Sequence, residues 1–101
     1  MDDKDFNINL GAVLKAARAS RKDNMSQYAL ADSSGFTRRY VQMVESGRQG
    51  ITLLALFSLA DALEISPAVL VEQLEYARKN GKLPESVLRA LPAKAIGRPK
   101  K

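Results

Sequence analysis

Apolar residues recur along this chain at helical spacing. Leu10, Val13, Leu14 and Ala17 fall at i, i+3, i+4 and i+7, one face of a helix. Asn7 or Asn9 is placed to cap it, and the loop chemistry of Asp23-Asn24 predicts its fading near Ser20–Lys22. Ser26 reads as the cap of a short helix, Gln27–Ser33, with Leu30 and Ala31 inward and Gly35 as its stop. Thr37 caps a third helix, Arg38–Ser46, whose buried side carries Tyr40, Val41 and Val44. Gly47 and Gly50 bracket a loop. Thr52 then caps a fourth helix with an apolar stripe of Leu53, Leu56, Phe57, Ala60 and Leu63. Ser66-Pro67, a cap followed by proline at the first helical position, starts a fifth that runs to about Lys79, where Asn80-Gly81 stops it. No stretch alternates with period two, so the expected fold is all-α with five helices and no sheet.

The pattern divides the chain into an N-terminal arm, 1–9, a helical domain, 10–80, and an extension, 81–101. Within the extension, residues 84–91 form a short helix with Val87, Leu88 and Leu91 on one side, and Pro92 ends it. Residues 93–101 are small, basic and proline-bearing, the composition of a disordered tail.

Composition removes whole classes of chemistry. With 101 residues, 46% of them hydrophobic, the chain makes one domain with a modest core. There is no cysteine, which excludes disulfides, thiol nucleophiles and thiolate zinc sites. There is no histidine, the commonest metal ligand and general base. Glycine-rich phosphate loops and cleft-like acid pairs are absent too, so neither an enzyme, a metal nor a cofactor is expected. No apolar run approaches bilayer length, and the first residues are acidic where a signal peptide is basic; the expectation is a cytoplasmic protein with no membrane partner.

Charge is unevenly placed. Residues 1–81 hold ten basic and ten acidic side chains, so residues 82–101 carry the whole net charge of +5. Residues 10–50 have seven basic groups against three acids, whereas residues 51–75 have four acids and no base. One part of the domain is suited to a polyanion and another to avoiding it.

The two short helices, joined across Ser34-Gly35-Phe36, each begin with a hydroxyl cap, and the second has adjacent arginines, Arg38 and Arg39, in its first turn. That is the logic of a helix-turn-helix, which reads base edges from the N-terminal part of its second helix. Both helix N-termini carry partial positive charge and free N–H groups suited to phosphate.

Ser26-Gln27, Leu30-Ala31, Gly35-Phe36-Thr37, Tyr40-Val41 and Val44-Glu45-Ser46-Gly47, followed by Leu56, Ala60 and Leu63, together resemble the XRE, or Cro/phage-repressor, helix-turn-helix family over roughly residues 10–75. The resemblance implies a five-helix phage-repressor-like fold and a sequence-specific double-stranded DNA-binding transcriptional regulator; most members are repressors or regulators, often dimeric, and the expectation here is a repressor acting as a homodimer. Carried over by position, it places Thr37, Arg38, Arg39, Gln42 and Met43 facing the major groove. Arginine suits guanine O6 and N7, Gln42 an adenine or a phosphate, and Met43 a thymine methyl or simple packing. It places Ser26, Gln27 and Arg48 at backbone phosphates, with Gln27 also able to brace the reading helix. It pairs Arg18 with Glu45 as a tie between the first and third helices. The Arg21-Lys22-Asp23-Asn24 loop is longer than the family pattern, and Ile51 stands where proline is frequent.

Two features fall outside that match. Gly97-Arg98-Pro99 with Lys100 and Lys101 resembles half of an AT-hook, although Ile96 stands where the hook has a second arginine; the other reading is a nonspecific basic tail on phosphates. Leu54, Val69 and Val71 are apolar positions beyond the needs of the core, and read either as a homodimer interface or as scattered exposure. The alternative function is an antitoxin, with the segment after Gly81 binding a toxin protein and the helix-turn-helix serving autoregulation.

Overall fold

The computed structural model describes residues 2–21 and 23–91. It contains six helices in the order α1 (Asp3–Ala19), α2 (Gln27–Ser34), α3 (Arg38–Glu45), α4 (Leu53–Leu63), α5 (Pro67–Asn80) and α6 (Glu85–Ala90), with no strand among the described residues. The expected tail contacts Arg98, Lys100 and Lys101 lie outside the described residues.

Four helices start where the polar caps place them. The hydroxyls of Ser26, Thr37, Thr52 and Ser66 accept from Ala29, Tyr40, Ala55 and Ala68 N–H groups at 3.0–3.2 Å. Each bond satisfies one of the donors that a helix start leaves without an intrahelical partner. Pro67 occupies the first turn of α5, where its missing N–H is not needed.

The first helix corrects the sequence reading. It begins at Asp3, capped by Asp2, whose Oδ1 accepts from the Lys4 N–H at 3.2 Å, and not at Leu10 behind Asn7 or Asn9. Residues 3–9 are therefore two turns of helix rather than an arm. Periodicity missed them because they bury little of their own: Phe6 is half-buried and Ile8 is 47% exposed. Tertiary contact holds this end. A side-chain carbon placed on Gly47 would lie 2.9 Å from Ile8 Cα, and one placed on Gly50 would lie 3.1 Å from Asn7 Oδ1. Asp3 and Asp5 also favour a helix here, since negative charge suits an N-terminus.

One core serves all five main helices. Val13 and Leu14 of α1, Leu30 of α2, Val41 and Val44 of α3, Leu59 and Ala60 of α4 and Leu70 of α5 are almost entirely excluded from solvent. The stripe on α4 differs from expectation. Leu59 is buried, whereas Leu53 and Phe57 are 70% and 48% exposed, because α4 turns its Ala55, Leu56, Leu59, Ala60 and Leu63 face inward. Tyr40 is half-buried rather than buried; its ring packs against Phe36 with centroids 4.5 Å apart. Burial pushes its hydroxyl pKa up.

The long α1–α2 connection is closed by its own charges. Arg21 Nε and Nη2 both donate to the Asp23 carboxylate at 2.9 Å, and Nη1 donates to the Ala62 carbonyl at 3.3 Å. The guanidinium holds the Asp23 carboxyl below the usual carboxylate range. Asn24 follows with φ 55°, a left-handed conformation that asparagine tolerates better than most residues.

Candidate nucleic-acid interface

Three residues, Gly35, Phe36 and Thr37, separate α2 from α3. Gly35 adopts φ 81°, which a side chain would strain, and its N–H and that of Phe36 both return to the Ala31 carbonyl. The chain can therefore reverse tightly and start α3 at once from the Thr37 cap.

α3 is amphipathic. Val41 and Val44 are buried, and Arg38, Arg39 and Gln42 are exposed. Neither arginine is engaged in an ion pair among the described residues. Two free guanidinium groups in the first turn of a helix oppose its dipole, and a bound anion relieves that conflict. Gln27, Arg39, Gln42, Met43 and Arg48 line one shallow depression of about 280 Å³ together with Ser46. Ser46 was not singled out from the sequence; its place one turn beyond Gln42 and Met43 is the signal that could have found it. Met43 is half-buried at the edge of this surface. Arg38 stands outside the depression, exposed at the helix start, and Thr37 uses its hydroxyl as the cap. Ser26 likewise caps α2 while remaining exposed.

Behind this surface lies a cluster that fixes α3. Arg18 Nε donates to Glu45 Oε2 at 2.7 Å and Nη2 to Oε1 at 2.9 Å, a two-pronged guanidinium–carboxylate pair. Nη1 donates to the Met25 carbonyl at 3.0 Å, and Gln27 Nε2 donates to Glu45 Oε1 at 2.9 Å. One carboxylate thus joins α1, the start of α2 and the end of α3. The Glu45 side chain is only 4% exposed and that of Arg18 14%, so the charges are shielded and held rigidly. Gln27 thereby braces α3 from the first residue of α2.

Gly11 brings α1 unusually close to the same helix. A side-chain carbon at this position would sit 2.5 Å from the carbonyl oxygens of both Val44 and Glu45. Those oxygens are backbone and cannot swing aside. Sequence periodicity gave no sign of this contact, because glycine carries no apolar side chain to count.

The acids of residues 51–75 lie on α4, its cap and α5, and none lines this depression: Asp61, Glu64, Glu72 and Glu75 are all exposed. Of the apolar positions expected at an interface, Leu54 is 77% exposed, Val71 47% and Val69 37%. Leu54 is joined on the outer side of α4 by Leu53 and Phe57. Among the described residues no cluster of three or more acidic side chains could hold a metal ion, and no single helix is long and apolar enough to cross a membrane.

Comparison with known proteins gives three concordant results. The helix-turn-helix family model matches residues 14–70. An uncharacterized HTH-type transcriptional regulator of Sinorhizobium fredii, y4dJ, is 36% identical over 55 residues, 54% of this chain and 71% of the relative. Among solved structures, the restriction-modification controller protein C.AhdI from Aeromonas hydrophila is 34% identical with a TM-score of 0.64, the match covering 69% of this chain and 99% of the other. The clp gene regulator ClgR from C. glutamicum is 26% identical with a TM-score of 0.66, over 71% and 91% of the two chains.

Proposed function

The chain belongs to the helix-turn-helix family of DNA-binding transcriptional regulators, and on that premise we propose that it represses transcription by reading a two-fold operator as a homodimer. The observation that carries this reading is the surface of α3. Arg39, Gln42 and Met43 share one face with Gln27 and Arg48, opposite the buried Val41 and Val44. An exposed arginine in the first turn of a groove-entering helix can donate two hydrogen bonds to guanine, and a glutamine one turn later can pair with adenine. Arg48, Gln27 and the capped start of α2 surround these groups with phosphate ligands. The relatives bear the names of a transcriptional regulator, a restriction-modification controller and a gene regulator, which supports the same reading.

The dimer is built around the outer face of α4. Leu53, Leu54 and Phe57 form a contiguous apolar patch on one flank of the domain, the kind of surface that a soluble chain covers with a partner. Val69 and Val71 do not both belong to it. Two residues apart on a helix, they stand about 200° apart, on opposite sides of the buried Leu70–Leu74–Ala77 stripe. A single flat contact takes one of them. Closed two-fold pairing then sets two α3 helices about 34 Å apart, one turn of DNA.

Selection of bound duplexes from a random pool tests the reading. The expected product is a palindrome whose half-sites are centred one helical turn apart. A pool that emerges without enrichment of any sequence refutes it.

A further inference from the structure

Residues 3–9 of α1 precede the segment that the family model matches, which begins at residue 14. They lie against the loop that leaves α3. Gly47 meets Ile8 so closely that an added side-chain carbon would sit 2.8 Å from its Cγ1 and 2.9 Å from its Cα. Gly50 meets Asn7, whose Oδ1 would lie 3.1 Å from such a carbon. One turn further along α1, Gly11 abuts the Val44 and Glu45 carbonyls. Positions 7, 8 and 11 share one side of a helix. That side of α1 is therefore a continuous seat for the last turn of α3 and for both glycine ends of the loop.

Between the two seated glycines stand Arg48 and Gln49, both exposed. The Arg48 N–H donates to the Met43 carbonyl at 3.0 Å, and Arg48 lines the depression shared by Gln27, Arg39 and Gln42. Arg48 forms no ion pair among the described residues. Glycines at both ends of a four-residue stretch give its backbone many conformations. A cation on a loose loop loses that freedom when it binds, and the loss subtracts from affinity. Yet the missing side chains at Gly47 and Gly50 are also what lets α1 come so close. The residues that free the loop allow α1 to hold it.

We infer that Asn7 and Ile8 are positioning residues: they hold the Gly47–Gly50 loop against α1, so that Arg48 is in place before a DNA phosphate meets it. The inference rests on the reading of Arg48 as a phosphate ligand and adds to it how that arginine is presented. Asn7 and Ile8 act through the loop and not on DNA. Their contribution is to affinity for every duplex rather than to the choice among duplexes, because phosphate contacts carry no sequence information directly.

The test is a thermodynamic cycle in the full chain. Asn7→Ala and Ile8→Ala together loosen the seat, Arg48→Gln removes the ligand, and a third variant combines all three changes. Circular dichroism fixes conditions in which each is fully folded. Each is titrated against the selected operator and against a random duplex at several salt concentrations. Loosening the seat should weaken both duplexes by the same factor, about two- to tenfold per subunit, the entropic cost of immobilising one long side chain. Ile8→Val, which keeps a branched carbon at the seat, should bind as the parent does. Arg48→Gln should flatten the log–log salt slope by about 0.9 per lost contact. On the Arg48→Gln background the seat changes should cost nothing further. Equal losses with and without Arg48 overturn the inference, since Asn7 and Ile8 then serve the fold rather than the arginine. Unaltered affinity in the seat variant overturns it as well. Unchanged affinity and slope in Arg48→Gln remove the ligand on which it rests, while operator selection by the parent stands. A parent that binds no duplex overturns the DNA-binding reading itself, and this inference with it.

Discussion

Arg18 and Glu45 meet side by side, two nitrogens against two oxygens at 2.7 and 2.9 Å, although 27 residues separate them in the chain. The pair fastens the end of α3 to α1, and Gln27 adds the start of α2 to the same carboxylate. A helix of eight residues is too short to hold its own shape or direction in water. Its direction on the domain is therefore set by this cluster and by the core beneath it.

Removing either partner should be strongly destabilising. Glu45→Ala leaves the largely shielded Arg18 guanidinium unpaired, a loss between the roughly 1 kcal/mol of an exposed pair and the about 3–5 kcal/mol of a fully buried one. Chemical denaturation of the two single variants and the double variant should give a coupling energy above about 1 kcal/mol. Additive losses would show that the contact carries no energy of its own.

Gly11→Ala tests the close approach of α1 to α3. In an exposed helix the change would stabilise by up to about 1 kcal/mol. Here the added carbon meets two backbone oxygens, and overpacking of this kind costs about 1–3 kcal/mol. Because the oxygens belong to the last turn of α3, operator affinity should fall further than the folded fraction alone explains. Binding assays under conditions where the variant is fully folded measure that excess; a variant as stable and as tight as the parent removes Gly11 from this role.

Arg39→Ala and Arg38→Ala should separate. Arg39 lines the reading surface with Gln42, so its loss should relax preference at one base pair by about 1–3 kcal/mol. Arg38 stands outside that depression, and its loss should weaken all duplexes evenly. Neither change touches the core, so thermal midpoints should be near that of the parent. Competition against single-base operator variants distinguishes the two patterns; unchanged discrimination in the Arg39 variant would dismiss it as a reader, and unchanged affinity in the Arg38 variant would remove its contact.

Leu54→Glu should produce a folded monomer. Sedimentation should show the parent as a dimer and the variant as a single chain, with operator affinity reduced about a hundredfold or more through lost avidity. Of Val69→Glu and Val71→Glu, one should dissociate the dimer and the other should not. A parent that sediments as a monomer at tens of micromolar, and remains one on DNA, contradicts the interface.

Much of this architecture is legible in the sequence because it is locally determined. Ser26, Thr37, Thr52 and Ser66 cap the helices they precede, and Gly35 and Gly81 stop those they follow. Each of these signals acts within a turn of its own position, so composition and spacing suffice. The residues of α3 follow the same rule: Arg38, Arg39 and Gln42 are exposed because Val41 and Val44, at helical spacing, take the inside.

The tertiary structure alone decided the rest. It extended α1 back to Asp3, where Ile8 and Asn7 rest on Gly47 and Gly50 across more than 35 residues of chain. It turned Leu53 and Phe57 outward beside Leu54 and brought Leu59 in, a choice between two apolar sides of α4 that the pattern of that helix leaves open. It brought the residues at and around α6 to shared depressions with α1, Leu83 and Leu91 beside Ala12 and Ala16 and Val87 beside Ala17 and Ile65. In each case the deciding energy comes from contact between segments distant in sequence. Periodicity tells which residues of a helix are apolar, but which of them leave water depends on what the other helices bring against them.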